Sequence, residues 1–445
     1  MSRPRTAQVI ASPLIATLTF QESRCNSNHL ALRGEFKSTA PVELPDIGPI
    51  DTIQNACRRA GTYLTEFSHK VAEASRGEAR LCQLSDAFNY LFDSGCQLGL
   101  RLTGGDVGDF RRLQQAFNKS WPGWSRLSRK EIPKVQLVGP DEATAFPLEL
   151  VPIFAFGPIP PLANASVLAE VASRFLGFTA VVCRVVPDTD RNTEVLHNTP
   201  ALPVQFMRYL DPKKHSRLSR HSATTGFAQE AEFLSSLRKR KLVSLDGPWP
   251  TAAVPADKVA GRLVDALYDP VETLCPGSVT GPIQLAHIAC HCTTDGRPDD
   301  SYELMLSTEM GDPRPVQLHE IRVGYVQRTE TPPEPSTRAP VILNACGTST
   351  VDPWSALSFQ CHFLRNRHRA FIGTQAAIDD TAAANYAECL YRFLLGGYTL
   401  GESVVLARRQ LLADTGSPLG LLYVQYGNDQ FAVEQSYEEE LPIGG

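Results

Sequence analysis

Two runs decide how this chain is read: Leu285-Ala286-His287-Ile288-Ala289-Cys290-His291-Cys292 and Val341-Ile342-Leu343-Asn344-Ala345-Cys346-Gly347. Each is short and apolar, the texture of a strand covered on both faces of a parallel sheet. Each ends in a reactive residue. In an open α/β sheet the carboxyl ends of neighbouring parallel strands share one crevice, so residues just past two such strands can meet despite their distance in sequence. His291 and Cys346 fit that placement. A thiol is mostly protonated at neutral pH and needs an imidazole beside it to become a thiolate, and the same imidazole can later protonate a leaving amine. Backbone N–H groups at the strand-to-loop turn can hold the developing oxyanion, and Gly347 lets the chain turn tightly after the nucleophile.

The same rhythm runs from Ile132 onward. Strands are predicted over 134–138, 179–186, 204–209, 284–290, 304–307, 341–345 and 370–373, alternating with helical segments. Val259, Leu263 and Leu267 form one apolar stripe and Phe227, Leu234 and Leu237 another, while 381–395 and 400–412 are helices expected to pack on the sheet. The predicted fold class is α/β, a mostly parallel sheet flanked by helices. Pro332, Pro333, Pro335 and Pro340 mark 327–340 as an exposed, mobile loop. Residues 1–130 read as a separate accessory and regulatory unit. There 16–23 and 29–36 pair as a hairpin, Pro41, Pro45 and Pro49 make a linker, and helices follow over 51–72 and 81–102. The catalytic unit then runs over 131–435 and a tail over 436–445. No 34-residue helical repeat is visible.

Composition narrows the function classes. The 445 residues are 42% hydrophobic and 20% charged, with a net charge of −5. That is too apolar for a disordered chain and lacks the basic balance of a protein that coats nucleic acid, so direct nucleic-acid binding is not expected. Eleven scattered cysteines, an odd count, read as reduced thiols in a cytoplasmic protein. Pro13 cuts the first apolar run, and Pro152, Pro158, Pro160 and Pro161 interrupt the uncharged stretch near 150–169. Neither an export signal nor membrane insertion is read there.

The ordered elements resemble a known family, the CHAT peptidases, caspase-like proteins of the caspase and separase clan. The resemblance covers roughly 133–435. It rests on the strand bearing His287 and His291, on Leu343-Asn344-Ala345-Cys346-Gly347-Thr348, and on Phe146-Pro147-Leu148-Glu149-Leu150 as the proline-x-glutamate-leucine element. Ala370-Phe371-Ile372-Gly373-Thr374, Asp380, Leu395-Gly396-Gly397 and Ala407-Arg408-Arg409 complete it. The roughly 55-residue gap between His291 and Cys346 matches the caspase arrangement, with a histidine about 50 residues before a Q-A-C-x-G-like motif. The resemblance implies a caspase-like fold and a cysteine endopeptidase with His291 as base and acid and Cys346 as nucleophile. It implies backbone N–H groups of Cys346 and Cys292 as oxyanion donors, and no cofactor. The implied partner is a protein substrate, in a bacterial host a pore-forming precursor or signalling protein encoded nearby, cut by a regulated effector of defence or cell death with its own activating partner protein. Two departures stand out: Cys292 where the family has glycine, and Gln375-Ala376-Ala377 where it has a tryptophan near Ile378.

Each residue also has a plainer role. Cys346 alone reads as a small buried hydrophobe, and His287, inside an apolar strand, as a satisfied core histidine. Cys290, His291 and Cys292 invite a zinc reading, but strand alternation sends the cysteines to one face and His291 to the other, so no metal is expected. Asp379 and Asp380 suit a helix start; Asp380 is also a candidate floor for a pocket that takes a basic side chain. Glu149 reads as a fastener of its loop. The basic runs around Lys213-Lys214-His215 and Arg238-Lys239-Arg240-Lys241 read as solvated faces. Two rival functions fit the same residues: a non-catalytic binding scaffold, and a small-molecule amidase using the same dyad.

Overall fold

The computed structural model describes residues 12–73, 78–125, 131–140, 144, 146–154, 157–185, 195–196, 201–209, 226–249, 258–268, 283–293, 302–307, 313–328, 338–345 and 359–433. The strands, in chain order, are β1 Leu14–Glu22, β2 His29–Phe36, β3 Thr39–Pro49, β4 Lys134–Val138, β5 Val181–Arg184, β6 Val195–Leu196, β7 Leu202–Arg208 and β8 Val243–Trp249. They continue with β9 Leu285–Thr293, β10 Glu303–Ser307, β11 Pro313–Gln317, β12 Val341–Ala345, β13 Ala370–Thr374, β14 Tyr423–Gly427 and β15 Ala432–Val433. The helices are α1 Ile50–Glu73, α2 Glu78–Leu102, α3 Val107–Ser120, α4 Ala165–Ser173, α5 Leu176–Thr179 and α6 Gly226–Lys239. They are followed by α7 Val259–Tyr268, α8 Leu318–Arg328, α9 Phe359–Arg365, α10 Asp380–Leu395 and α11 Leu400–Thr415.

The amino-terminal hairpin forms as its alternation predicts, with β1 antiparallel to β2 and Leu18 opposite Gly34. The proline-bearing stretch after it is not a linker. It is β3, paired antiparallel with β2 at the edge of a five-stranded sheet ordered β3-β2-β1-β4-β5. An edge strand leaves one row of N–H positions without a ladder partner, so prolines are tolerated there. Val42, Leu44 and Ile47 meanwhile turn into the core. The parallel partner of β1 is β4, which in turn pairs with β5, so this sheet draws strands from both sides of residue 130.

The second sheet carries the candidate site. Its main path is β8-β7-β9-β12-β13-β14, parallel except for the last pair. This is the α/β class expected, a mostly parallel sheet with helices on both faces. β9 outruns its neighbour: Leu285 to Ala289 pair with β7, whereas His291, Cys292 and Thr293 pair with β10 of the antiparallel β10–β11 hairpin. Residues of α6 and α10 cover one face, continuous with the core of the amino-terminal sheet, and α7, α8 and α9 cover the other. Among the described residues no helix is long and apolar enough to cross a membrane.

The two sheets meet at a buried ion cluster. Glu149 sits in a 3-10 turn, Leu148–Leu150, and both its oxygens accept from Arg184 of β5, at 2.7 and 2.6 Å. Arg408 of α11 approaches to 4.0 Å and donates to the carbonyls of Gly177 and Tyr423. Burial works against the Glu149 charge, but the two guanidiniums outweigh it and hold the carboxyl below its usual range. The fastening role read for Glu149 is the one seen.

Of the 327–340 loop, Gln327 and Arg328 close α8 and Arg338 bridges to His368 beside β12; 329–337 lie outside the described residues. Beneath this end of the sheet two histidines are buried. Asn366 Nδ2 donates to Nδ1 of His362 at 3.0 Å, which leaves the Nε2 proton to face the Tyr268 hydroxyl. His368 donates from Nδ1 to the Ala339 carbonyl at 2.7 Å. Burial, with nearby arginines, pulls His362 down to about 4 and His368 to about 3. Because the unfolded chain takes up these protons first, stability is full above the ordinary histidine value near 6.5 and falls as pH drops below it. Each group then costs up to about 1.4 kcal/mol per pH unit until its folded value is reached. Urea midpoints should therefore fall from pH 7 to pH 5, and fall less in a His362→Gln variant; equal midpoints at both pH values would contradict this arrangement.

Candidate active site

β9 and β12 run side by side and in the same direction. Their register sets Asn344 opposite Ala289 and Ala345 opposite Cys290. Alternation is clean on both strands. Ala286, Ile288 and Cys290 of β9, with Val341, Leu343 and Ala345 of β12, enter the core under α7–α9; Leu285, Ala289 and Ile342 enter the core under α6 and α10. His287 and Asn344 share this second face, where both contact Glu230 of α6. At the end of β12, the Thr374 hydroxyl of β13 donates to the Ala345 carbonyl at 2.7 Å, satisfying a buried acceptor where the ladder ends. Cys346 follows in the sequence and lies outside the described residues, as do Lys213, Lys214, His215, Arg217 and Arg220.

His291 is half-buried and its imidazole is held by aromatic rings. The Tyr209 ring, just past β7, lies 5.2 Å away between centroids, and the Phe227 ring, in the first turn of α6, lies 5.0 Å away. Tyr209 and Phe227 also touch each other, at 6.0 Å. Edge-on packing of this kind fixes a ring plane without consuming its nitrogens. Cys292 points into the opposite core and faces Leu304 of β10 along the ladder. Cys290 and Cys292 thus lie across the sheet from His291, and among the described residues no group of three or more His, Cys, Asp or Glu side chains could hold a metal ion.

The start of α10 closes on the same corner. Asp379 is the N-cap, its carboxylate accepting from the N–H groups of Thr381 and Ala382 at 3.0 and 3.1 Å. The helix-start reading therefore describes both aspartates, Asp379 as the N-cap and Asp380 as the acidic residue that opens the first turn. Asp380 is the next residue, half-buried, and packs against the first residue of α6. That residue is Gly226, and a Cβ there would stand 2.0 Å from the Asp380 carbonyl oxygen. Only glycine permits this approach, which sets Asp380 against the immediate neighbour of Phe227, whose ring touches His291.

The CHAT domain family matches residues 198–426, just over half of the chain. The chain belongs to the CHAT-domain family. The CHAT stretch opens just before β7 and ends within β14, so it contains Tyr209, Phe227, His291, Asp380 and all of the second sheet except Gly427.

Similar solved structures include two of the Saccharomyces cerevisiae separase–securin complex. One is 10% identical with a TM-score of 0.40, covering 95% of this chain and 30% of that one. The other is 11% identical with a TM-score of 0.41, covering 94% and 30%. A complex of the pro- and mature domains of Porphyromonas gingivalis RgpB is 10% identical with a TM-score of 0.38, covering 73% and 69%. The chain therefore spans under a third of the separase chains it resembles. No curated protein matches it.

The sequence marks His291 and Asp380 as candidates but does not show what surrounds them. Tyr209 and Phe227 passed as ordinary core residues. Glu230 carried a visible signal, a carboxylate inside the apolar stripe Phe227, Ala231, Leu234 and Leu237. Such an acid must find partners when its helix packs. Arg238 to Lys241, at the end of α6, are exposed to solvent.

Proposed function

We propose that this CHAT domain is a cysteine endopeptidase making limited cuts in a protein substrate. The observation that supports the reading most is the β9–β12 register: with Ala345 opposite Cys290, the next residues along the two parallel strands are Cys346 and His291. Cys346 is two residues beyond Asn344, and His291 four beyond His287. Alternation would therefore give both side chains the face shared by Asn344 and His287. His291 takes the thiol proton, and the thiolate attacks the scissile carbonyl. The N–H groups of Cys346 and Cys292 steady the oxyanion, and His291 returns the proton to the departing amine. A thioester remains, which a water activated by His291 hydrolyses. The direct test is cleavage-site profiling on a peptide library with wild type and Cys346→Ala; cuts made by both forms would reject the reading.

Asp380 would floor the subsite for the residue before the scissile bond. Asp380 opens α10 where it packs on Gly226, the neighbour of the Phe227 whose ring touches His291, and a carboxylate on that turn would suit a lysine or arginine side chain. Asp380→Asn should then lower cleavage after Lys and Arg about 10- to 100-fold, the worth of one charge-assisted hydrogen bond, and leave other cuts unchanged. An equal loss on every peptide would reject the subsite.

The amino-terminal unit would regulate. Ser68 of α1 donates to the Ala377 carbonyl at 2.9 Å, on the loop that leads to Asp379 and Asp380. A partner protein that shifts α1 would thereby reach the rim of the site. In a bacterial cytoplasm the target would be a pore-forming precursor or signalling protein encoded nearby. Co-expression of neighbouring gene products with the wild type and Cys346→Ala forms tests this; no product cut only by the wild type would reject it.

A further inference from the structure

The buried face of α6 is apolar except at one side chain. Gly226, Phe227, Ala231, Leu234 and Leu237 are buried there, and among them lies Glu230, 2% exposed. Removing a carboxylate from water costs several kcal/mol unless its oxygens find partners, so its partners show what it is for. Oε1 accepts from Asn344 Nδ2 at 2.8 Å. Oε2 lies 2.8 Å from His287 Nε2, an ion-pair distance off the axis of a linear hydrogen bond. One carboxylate therefore spans β9 and β12, the strands that lead to His291 and Cys346. Both partners are themselves held. Tyr391 of α10 sits 3.2 Å from His287 Nδ1, and Asn344 also donates to the Ala383 carbonyl at 3.2 Å and accepts from the Tyr423 hydroxyl. The same helix, three residues earlier, presents Phe227 to the His291 ring.

We infer that Glu230 is a positioning residue: its carboxylate locks β9, β12 and α6 together and so sets the approach of the His291 imidazole to the Cys346 thiol. The backbone ladder already sets the register of β9 and β12; apolar packing alone would let α6 slide on that ladder, and Glu230 pins the helix to both strands, and with it the Phe227 ring against His291. The inference rests on the peptidase reading. Catalytic pairs tolerate little misplacement, a shift of about 1 Å costing on the order of 100-fold.

The test is the pH dependence of Cys346 alkylation by iodoacetamide, followed by mass spectrometry on the peptide that contains it, in wild type, Glu230→Ala, Glu230→Gln, Glu230→Asp and His291→Ala. The wild type should react fast at neutral pH through a thiolate stabilised by His291. Glu230→Ala should lose about 10- to 100-fold of that neutral rate, falling toward His291→Ala, while the alkaline rate of the free thiolate stays. Glu230→Gln keeps an acceptor for Asn344 and a polar atom for His287, and should restore most of the neutral rate. Glu230→Asp keeps the charge but is one methylene too short to span both strands, and should behave like alanine; it decides the matter where alanine does not fold. A merely structural glutamate would lower the melting temperature and leave the profile of the folded protein unchanged, which would overturn the inference. A wild-type profile in His291→Ala would instead overturn the dyad itself.

Discussion

Replacing His291 by alanine should lower peptide cleavage by about 10²- to 10⁴-fold, the range that a positioned acid and base contributes. The fold should survive. His291 is half-buried, its ring contacts are with Tyr209 and Phe227, and neither core depends on it. The loss should be in kcat, with KM little changed, since an imidazole that moves protons acts in the transition state and not in substrate binding. Circular dichroism and a peptide-cleavage assay on the purified variant check both halves. A variant that is folded and cuts at the wild-type rate would remove His291 from the chemistry. The neighbouring histidine on the same face should differ in stability. His287 is fully buried between Glu230, Tyr391 and Phe206, so His287→Ala should lower the melting temperature, which His291→Ala should not.

Glu149→Ala should destabilise the chain by about 3–5 kcal/mol, because it leaves the Arg184 and Arg408 charges buried without their counter-ion. That is a large share of the ~5–15 kcal/mol that holds a typical domain together. The damage should spread across both sheets, since Arg184 belongs to β5, Arg408 to α11, and Arg408 also grips the carbonyl of Tyr423 at the start of β14. Acid should act in the same direction. The Glu149 carboxyl is held below its unfolded value, so its contribution is full above about pH 4.5 and is lost as pH falls through the lower folded value. Urea unfolding of Glu149→Ala and wild type measures the effect; a loss under about 1 kcal/mol would show that the pair contributes no more than a surface ion pair.

Much of the second sheet could be read from the sequence because its strands are buried on both faces. Continuous apolar runs such as Leu285 to Cys290 and Val341 to Ala345 have few other ways to satisfy both hydrophobicity and length. Strands that break this texture escaped. β8 holds Gly247 and Pro248 and β11 holds Pro313 and Pro315, so both carry the residues that punctuate turns. β3 carries the proline pattern of a linker for the same reason, its prolines being tolerated only because it lies at an edge. The parallel pairing of β1 with β4 joins residues more than a hundred positions apart, and no local pattern announces it.

The candidate site divides in the same way. His291 was visible because a histidine closing a buried strand is chemically conspicuous. The rings that hold it were not: Tyr209 and Phe227 are unremarkable as core residues until β7 and α6 bring them to one place. Asn344 looked like part of a nucleophile motif, yet in the fold it is a hub for Glu230, Ala383 and Tyr423. Its role depends on three elements that the sequence leaves unconnected.

The most direct measurement asks whether His291 and Cys346 lie within one small molecule's reach. Treatment of the native protein with 1,3-dibromoacetone, which alkylates a thiol and then a second nucleophile through a three-carbon bridge, is followed by digestion and peptide mapping. A crosslinked pair joining the His291 and Cys346 peptides is expected in wild type, replaced in His291→Ala by Cys346 carrying an unbridged adduct. Wild-type protein in which Cys346 is alkylated but bridged to some other residue, or to none, would contradict it.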